Sequence, residues 1–405
     1  MIYVPSLAHA CDRFDDIFQE TPVTKALIVG GGIAGLSTAW ALARRGVQVE
    51  LFEQGPLPNP RASSYDEHRI TRHAYGAMEG YAHLMPEAFR VWENLWQAIG
   101  VSHYEPCGAV YFLRHDDRLQ DGGWYGGMSR SLTAMGIGYR DIPLDDVERR
   151  FPMMRAQGLQ RVVSTDGAGM LFPVRILTDL VVLLGRLGVT LRTGARVSEV
   201  DPERGRVVAD GVTHQGDVAV VAAGAWADRL VPGLRGVGVP SRQAVLYLSP
   251  PPDLAEAWAS APVMLELGGE IGLYTLPPRR GTRLTIGDHV FSRTGDPDSD
   301  RVANAHDLER LWPAARAAYR DFDRYSVLEP KACFYTVTKR EEFLVHPTGA
   351  AGWLISACSG HGFKLGSLMG ELVARAITGE MAAADVTELA AGRVLHPSWR
   401  ETVAA

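Results

Sequence analysis

Cysteine is scarce in this chain. Four thiols, Cys11, Cys107, Cys333 and Cys358, are spread over 405 residues. None forms a C-x-x-C pair and no histidines stand at zinc-ligand spacing, so neither a metal-ribbon nor a disulfide framework is expected. A reducing compartment, the cytoplasm, fits that usage. No apolar run approaches the roughly 18 residues of a membrane span. The opening stretch, "MIYVPSLAHACDRFDDIF", lacks a basic n-region and soon turns acidic, so a signal peptide is not expected. Basic blocks are missing as well, and the net charge is −6, which argues against a nucleic-acid partner. Internal repeats and low-complexity tracts are also absent.

The residues present are those of a folded protein: 46% hydrophobic and 22% charged. A chain of 405 residues exceeds one ordinary core, which implies two domains. Residues 1–24 carry no periodic pattern and read as an N-terminal extension. "KALIVGGGIAGLSTAWALARRGVQVELFEQG" then reads as strand (Ala26–Val29), glycine turn, helix (Ala34–Arg45) and strand (Val47–Glu53). Residues 86–98, "PEAFRVWENLWQA", place Phe89, Val91, Trp92, Leu95 and Trp96 at helical spacing, a core face. The run from Phe172 reads as helix, strand and hairpin, and "VAVVAAGAWADRL" as a buried strand entering a glycine turn. Residues 227–332 read as β-rich with loops, among them the polar "SRTGDPDSDR". After Cys333 come the strand "GWLISA", the turn "CSGHGF" and a final helix from Lys364 to about Ile377. The β-α-β material at both ends and in the middle predicts one discontinuous domain with a second inserted into it.

Gly30, Gly32 and Gly35 form G-x-G-x-x-G between strand and helix, with Ile33 and Ala34 opening the helix. The first glycine permits the tight turn and the second lets a pyrophosphate reach the backbone. The third lets helix and strand pack closely. The helix start then offers unpaired N–H groups to the phosphates. Glu53, 18 residues after Gly35, ends the next strand, where a carboxylate can accept from ribose hydroxyls. These features imply a dinucleotide and leave FAD and NAD both open.

The segments "VGGGIAG", "SSYDEHRITRHAYG", "GMLFP", "AAGAW", "YTLPPRRGTRLTIGDH", "KACFYTVT" and "SGHGFK" together resemble the monomeric sarcosine oxidase and N-methyltryptophan oxidase family, within the D-amino-acid-oxidase-like flavoproteins. The likeness runs from about residue 26 to 378. It implies an α/β fold, α+β overall, in which a Rossmann-like FAD-binding domain is joined to a domain built on an antiparallel sheet. The expected division is 25–80, 152–226 and 333–405 for FAD, with 81–151 and 227–332 for substrate. A monomer is favoured by the same likeness.

The resemblance also implies roles for individual residues. Cys333 would form a thioether to the flavin, with Cys358 packing near the ring. Ser63, Ser64, Ile70, Val197, Gly224 and Trp226 would contact the cofactor, as would Gly360, His361, Gly362, Phe363 and Lys364. Arg69 would lie beside the flavin ring and Arg72 would bind a substrate carboxylate, with Lys364 as the second contact. An arginine fork with a lysine point charge suits one carboxylate. Tyr274 and His289, on either side of an expected hairpin turn, would line the substrate cavity with Tyr335, His361 and Met264.

Two positions depart from the family pattern. Thr285 stands where the family's oxygen-activating lysine falls, and Arg283, two residues earlier on the same strand face, is the candidate replacement. His68 stands where threonine is usual and adds a titratable ring near the flavin and substrate. The expected activity is FAD-dependent oxidation of the C–N bond of a secondary or cyclic α-amino acid to an imine, with dioxygen reduced to hydrogen peroxide. The alternatives are a dehydrogenase or imine-forming tailoring enzyme with another electron acceptor, and a non-catalytic flavin-binding subunit.

Overall fold

A computed structural model of the protein describes residues 23–114, 119, 122–266 and 271–394. Most of the proposed N-terminal extension, including Cys11, lies outside the described residues. The first strand, Lys25–Val29, sits near the middle of a six-stranded sheet. Across that sheet the order is Leu344–Gly349, Gly352–Ser356, Val218–Val221, Lys25–Val29, Gln48–Glu53 and Thr190–Thr193. All pairings are parallel except that between the first two strands. "KALIV" is continuously apolar after its lysine because both faces are covered. Ala26 and Ile28 face a core formed with the helices Ile33–Ala43, Glu79–Ile99, Pro173–Arg186 and Gly362–Ile377. Leu27 and Val29 face Val207 and Ala209 of an antiparallel meander, Val197–Asp201, Arg206–Ala209 and Val212–Gln215.

The second sheet has eight strands. In spatial order they are Ser326–Val337, Val239–Ser249, Leu284–Gly287, Tyr274–Leu276, Val263–Glu266, Ala109–Leu113, Arg161–Thr165 and Tyr139–Asp141. Leu246, Leu248, Met264, Leu284 and Ile286 on one face pack with the helix Ala305–Ala318. The opposite face bears Tyr247, Thr285, Cys333 and Tyr335, as the cross-strand register requires. A small sheet has Arg69–Arg72 and Tyr104–Glu105 flanking Ala168–Leu171, with Leu171 in the core under the six-stranded sheet and Met170 packed with Tyr111 and Val163 of the eight-stranded one.

Sheet membership departs from the expected division at three places. Arg161–Thr165 pairs with Ala109–Leu113, across the break expected at residue 152. Cys333 lies within a strand of the eight-stranded sheet, so no boundary falls there. The helix Glu79–Ile99, placed with 81–151 in the expected division, packs into the core beneath the six-stranded sheet. That helix also starts seven residues before the expected position 86, running through Pro86. Burial of Tyr81, Leu84 and Met85 overrides the missing N–H of the proline. The helices Ala305–Ala318 and Ala383–Ala390 were not anticipated. None of the described helices is long and apolar enough to cross a membrane.

The helix Gly362–Ile377 docks on Ile33–Ala43 at backbone distance. A Cβ at Gly366 would lie 2.7 Å from Ile33 Cγ2, and one at Gly370 would lie 2.6 Å from Thr38 N. At the end of this contact Glu371, 2% exposed, is bonded by Arg44, Arg45 and Arg375. Burial alone would raise its carboxyl, but the three guanidinium groups bring it down to about 2. Glu371→Gln should therefore cost roughly 3 kcal/mol, the lower end for breaking a buried pair. A depressed carboxyl contributes stability above its unfolded value and loses it as pH falls. The gap between wild type and variant in urea unfolding should be full at neutral pH and close as pH falls from the ordinary 4.5 towards about 2. A gap independent of pH would show that the charge of Glu371 is not what ties the helices.

Candidate active site

A cavity of about 400 Å³ opens over the glycine turn and runs to the eight-stranded sheet. Gly30 has φ of 110°, and a Cβ there would stand 2.4 Å from the Ala222 carbonyl oxygen. A Cβ at Gly35 would fall 1.9 Å from the Gly30 carbonyl oxygen, so neither position admits a side chain. Gly32, Ile33 and Ala34 form the cavity wall where the helix begins. Ser64 Oγ accepts from Ile33 N at 3.0 Å and occupies the helix start. Glu53 is buried; its carboxylate accepts from Gly31 N (2.8 Å), Gly55 N (3.0 Å) and Asn59 Nδ2 (2.8 Å). Val197, Gly224 and Trp226 complete this end of the wall. Trp226 lies between Arg61 and Arg301, and its Nε1–H is 3.0 Å from Asp298 on the polar loop. Asp298 also pairs with Arg61 and Arg229. A turn stripped of side chains, a helix start and a strand-end carboxylate fit a dinucleotide.

The other end of the cavity reaches Ser63, Arg69, Tyr335, Gly360 and Phe363. Ser63 Oγ donates to the Phe334 carbonyl, tying the loop before Arg69–Arg72 to the eight-stranded sheet. Cys358 is in the wall, whereas Cys333 lies just behind it, buried on the strand face that presents Tyr335. Burial pushes the Cys333 thiol up, against the pull of Arg69, Lys331 and Arg301. Lys331 was overlooked in the sequence, although it stands two residues before Cys333 and so shares its face. Its ammonium lies 3.0 Å from the Tyr65 carbonyl oxygen and 3.7 Å from Asp66.

Asp66 is the other omission, and "DEHR" carried its signal, an acid three residues before Arg69. It is 2% exposed and takes hydrogen bonds from Arg69 and from the Tyr247 hydroxyl. Burial opposes its ionisation, but Arg69 and Lys331 hold the carboxyl well below the usual range. Arg69 is thus an arginine with a full partner, further held by the carbonyls of His68 (3.1 Å) and Ser63 (3.0 Å).

Arg72 is different. Three residues from Arg69 in one extended strand, it leaves by the opposite face, the side of Ile70. Its guanidinium carbon lies 5.1 Å from the Tyr75 ring centroid, and its buried Nη1 has no hydrogen-bond partner among the described residues. Lys364, in the first turn of Gly362–Ile377, reaches the same ring at 5.2 Å, and among the described residues its ammonium bonds only the His361 carbonyl oxygen, at 3.4 Å. Neither cation has a carboxylate partner among the described residues. Burial, then Arg72, hold the Lys364 ammonium well below its ordinary value. The His361 ring, stacked on Phe343, is held down to about 3 by burial and by Lys364.

Tyr274 and His289 flank the expected hairpin, their ring centroids 5.3 Å apart. Tyr274 lies across Gly287, where a Cβ would meet its hydroxyl at 2.4 Å. Met264, expected in the cavity, packs instead with Val110 and Ile286 on the far face of the sheet. Its neighbour Leu265 pairs directly with Tyr274, and side chains alternate along a strand, so Met264 must point away.

Thr285 is buried on the site face, opposite Tyr247, and its hydroxyl is unpartnered among the described residues. Arg283 does not replace the missing lysine as a free cation. It is paired with Glu67 and Glu329 and lies 3.8 Å from the Tyr247 ring centroid. His68 is fully buried, with Nε2 2.9 Å from the Arg283 carbonyl oxygen and Nδ1 unpartnered among the described residues. Burial lowers its pKa below the ordinary histidine value.

A glycine-turn cofactor cavity whose far end is walled by Arg69 and Tyr335 defines the class, and the chain belongs to the FAD dependent oxidoreductase family, which it matches over residues 25–376. It is an FAD-dependent oxidoreductase of the group with sarcosine oxidase-like members that act on C–N bonds. It is similar to the peroxisomal sarcosine oxidase of Homo sapiens, 25% identical over 86% of this chain and 90% of that one. The monomeric sarcosine oxidase of Bacillus sp. (strain B-0618) is 25% identical over 87% of this chain and 92% of its own. The fold is shared with NikD, an amino acid oxidase of nikkomycin biosynthesis, at a TM-score of 0.75 and 22% identity, covering 91% of this chain and 97% of that one.

Opposite faces of one sheet make a clean contrast. Gly287→Ala should displace the Tyr274 ring and weaken an unreactive carboxylate ligand by about fivefold, near 1 kcal/mol. Met264→Leu should leave that affinity within about twofold and cost under about 1.5 kcal/mol in urea unfolding. Titration of the flavin absorbance reads both affinities, and equal effects of the two changes would contradict the assigned faces.

Proposed function

We propose that the enzyme oxidises the C–N bond of a secondary or cyclic α-amino acid to an imine. One observation carries the reading: buried Lys364 and half-buried Arg72, whose Nη1 is enclosed, stand beside one tyrosine ring with no carboxylate partner among the described residues. Such a pair is costly to keep unless an anion completes it. The α-carboxylate of an amino acid has the size and charge to do so. FAD, when bound, accepts the hydride from the carbon next to nitrogen. The chain's task is orientation. Arg72 and Lys364 grip the carboxylate, Tyr274 and Tyr335 wall the remaining space, and the neutral amine loses its own proton as the imine forms. Cys333 is proposed as the covalent anchor of the flavin, with Arg69, Lys331 and Arg301 opposing the cost of forming a thiolate in a buried place. Dioxygen then takes the two electrons and two protons as hydrogen peroxide.

Three measurements test this reading. Under anaerobic conditions a panel of secondary and cyclic amino acids should bleach the flavin, and their amides should not. Arg72→Ala should weaken binding by roughly 2–5 kcal/mol, the cost of leaving a desolvated charge without its partner. Bleaching by amides as fast as by acids would remove the carboxylate reading. Wild-type flavin should also stay with the polypeptide on a denaturing gel and be released from Cys333→Ser; flavin that washes out of wild type would exclude the anchor.

A second reading, transfer to an acceptor other than dioxygen, is favoured by Thr285, because Arg283 is committed to two carboxylates. A nearby cation lowers the barrier to forming superoxide in a dry site. Stopped-flow mixing of reduced enzyme with oxygen separates the two. Fast reoxidation of wild type supports the oxidase. Slow reoxidation that rises at least tenfold, about 1.4 kcal/mol of barrier, in Thr285→Lys supports the other acceptor.

A further inference from the structure

We propose that Tyr75 is a positioning residue of the carboxylate clamp, its ring the common surface that holds Arg72 and Lys364 side by side before any anion arrives. The inference rests on the carboxylate reading of those two residues and adds to it the means by which the clamp is kept assembled.

The two cations come from separate elements, the strand Arg69–Arg72 and the helix Gly362–Ile377. Like charges in a dry site repel, and here no carboxylate of the described residues stands between them. What both reach is Tyr75, 4% exposed, with Arg72 Cζ 5.1 Å and Lys364 Nζ 5.2 Å from the ring centroid. An aromatic face attracts cations through its quadrupole, most strongly where water is excluded. Unlike a carboxylate, it leaves their hydrogen-bond donors free. Among the described residues Arg72 Nη1 remains unpartnered and Lys364 Nζ has one long bond. A glutamate in place of Tyr75 would neutralise the pair and compete with the substrate.

The ring is itself well anchored. Its hydroxyl lies 3.4 Å from His361 Nδ1, and His361 Nε2 lies 3.0 Å from the Glu341 carbonyl oxygen. A neutral ring donating from Nε2 therefore accepts from Tyr75 through Nδ1. Tyr81 stacks against Tyr75 at 5.8 Å, and Trp92 Nε1 fixes the Lys364 backbone at 2.9 Å.

The test uses the holoenzyme with phenylalanine, difluorophenylalanine or pentafluorophenylalanine at position 75, installed by nonsense suppression. Fluorination drains the ring quadrupole with little change of shape, so folding is spared where Tyr75→Leu could lose it. The probes are furan-2-carboxylate and its amide, neither of which has an amine to oxidise, titrated by flavin absorbance. Tyr75→Phe should bind the acid within about threefold of wild type, and fluorination should lower acid affinity stepwise by about tenfold in all. Amide affinity should move less than about twofold across the same series. Acid affinity that is indifferent to fluorination, or acid and amide affinities that fall in parallel, would reduce Tyr75 to a packing residue and overturn the proposal. Wild type that binds acid and amide equally would instead remove the carboxylate reading on which it stands.

Discussion

Positive charge taken out of water must be met by something, and at the junction of the two sheets it is met in two ways. Asp66 answers Arg69 and Lys331 with a full negative charge and also takes the Tyr247 hydroxyl. Arg72 and Lys364 receive only an aromatic ring. The first cluster is closed and rigid, since every strong group in it has a partner. The second holds no carboxylate among the described residues. Both kinds of site sit on the short strand Arg69–Arg72, whose alternation sends one arginine to each. The placement of that strand beside both large sheets is what the rest of the site depends on.

The register of the eight-stranded sheet does the remaining positioning. Cys333, Gln243 and the row beside them, with Thr285, Tyr247 and Glu329, all lie on one face because antiparallel partners share a face. A slip of one residue would send every one of them into the helical core on the other side. Gly287 adds a finer constraint by leaving the space across which the Tyr274 ring lies flat.

Much of this was legible in the residues. The glycine turn, the strand-end Glu53 and the hairpin joining Tyr274 to His289 are local patterns, and local patterns show in a single sequence. Met264 was assigned to the wrong face because register is a property of the partner strand, not of "PVMLEL" itself. The pairing of Arg161–Thr165 was not legible for the same reason, since its partner lies some fifty residues earlier in the chain. Other omissions had readable signals. Asn304 with Asp307 three residues on is a capping box, and it opens the helix Ala305–Ala318. Asp66 precedes Arg69 by three, and Lys331 precedes Cys333 by two. Tyr75 had none, because nothing in "RHAYG" says that a lysine almost three hundred residues away will reach its ring.

The six-stranded sheet has a consequence for how the chain comes into being. Lys25–Val29 is laid against Val218–Val221, and that strand against Gly352–Ser356. During synthesis the first strand therefore emerges long before its neighbour, and the neighbour long before the strand that covers its other edge. Until residue 356 has left the ribosome the parallel sheet keeps an apolar edge open. The glycine turn that follows the first strand can take its final shape only when Ala222 arrives to close over Gly30. The cofactor cavity is in this sense a late product of folding, and a nascent chain paused within the sheet insertion has nowhere to put its flavin.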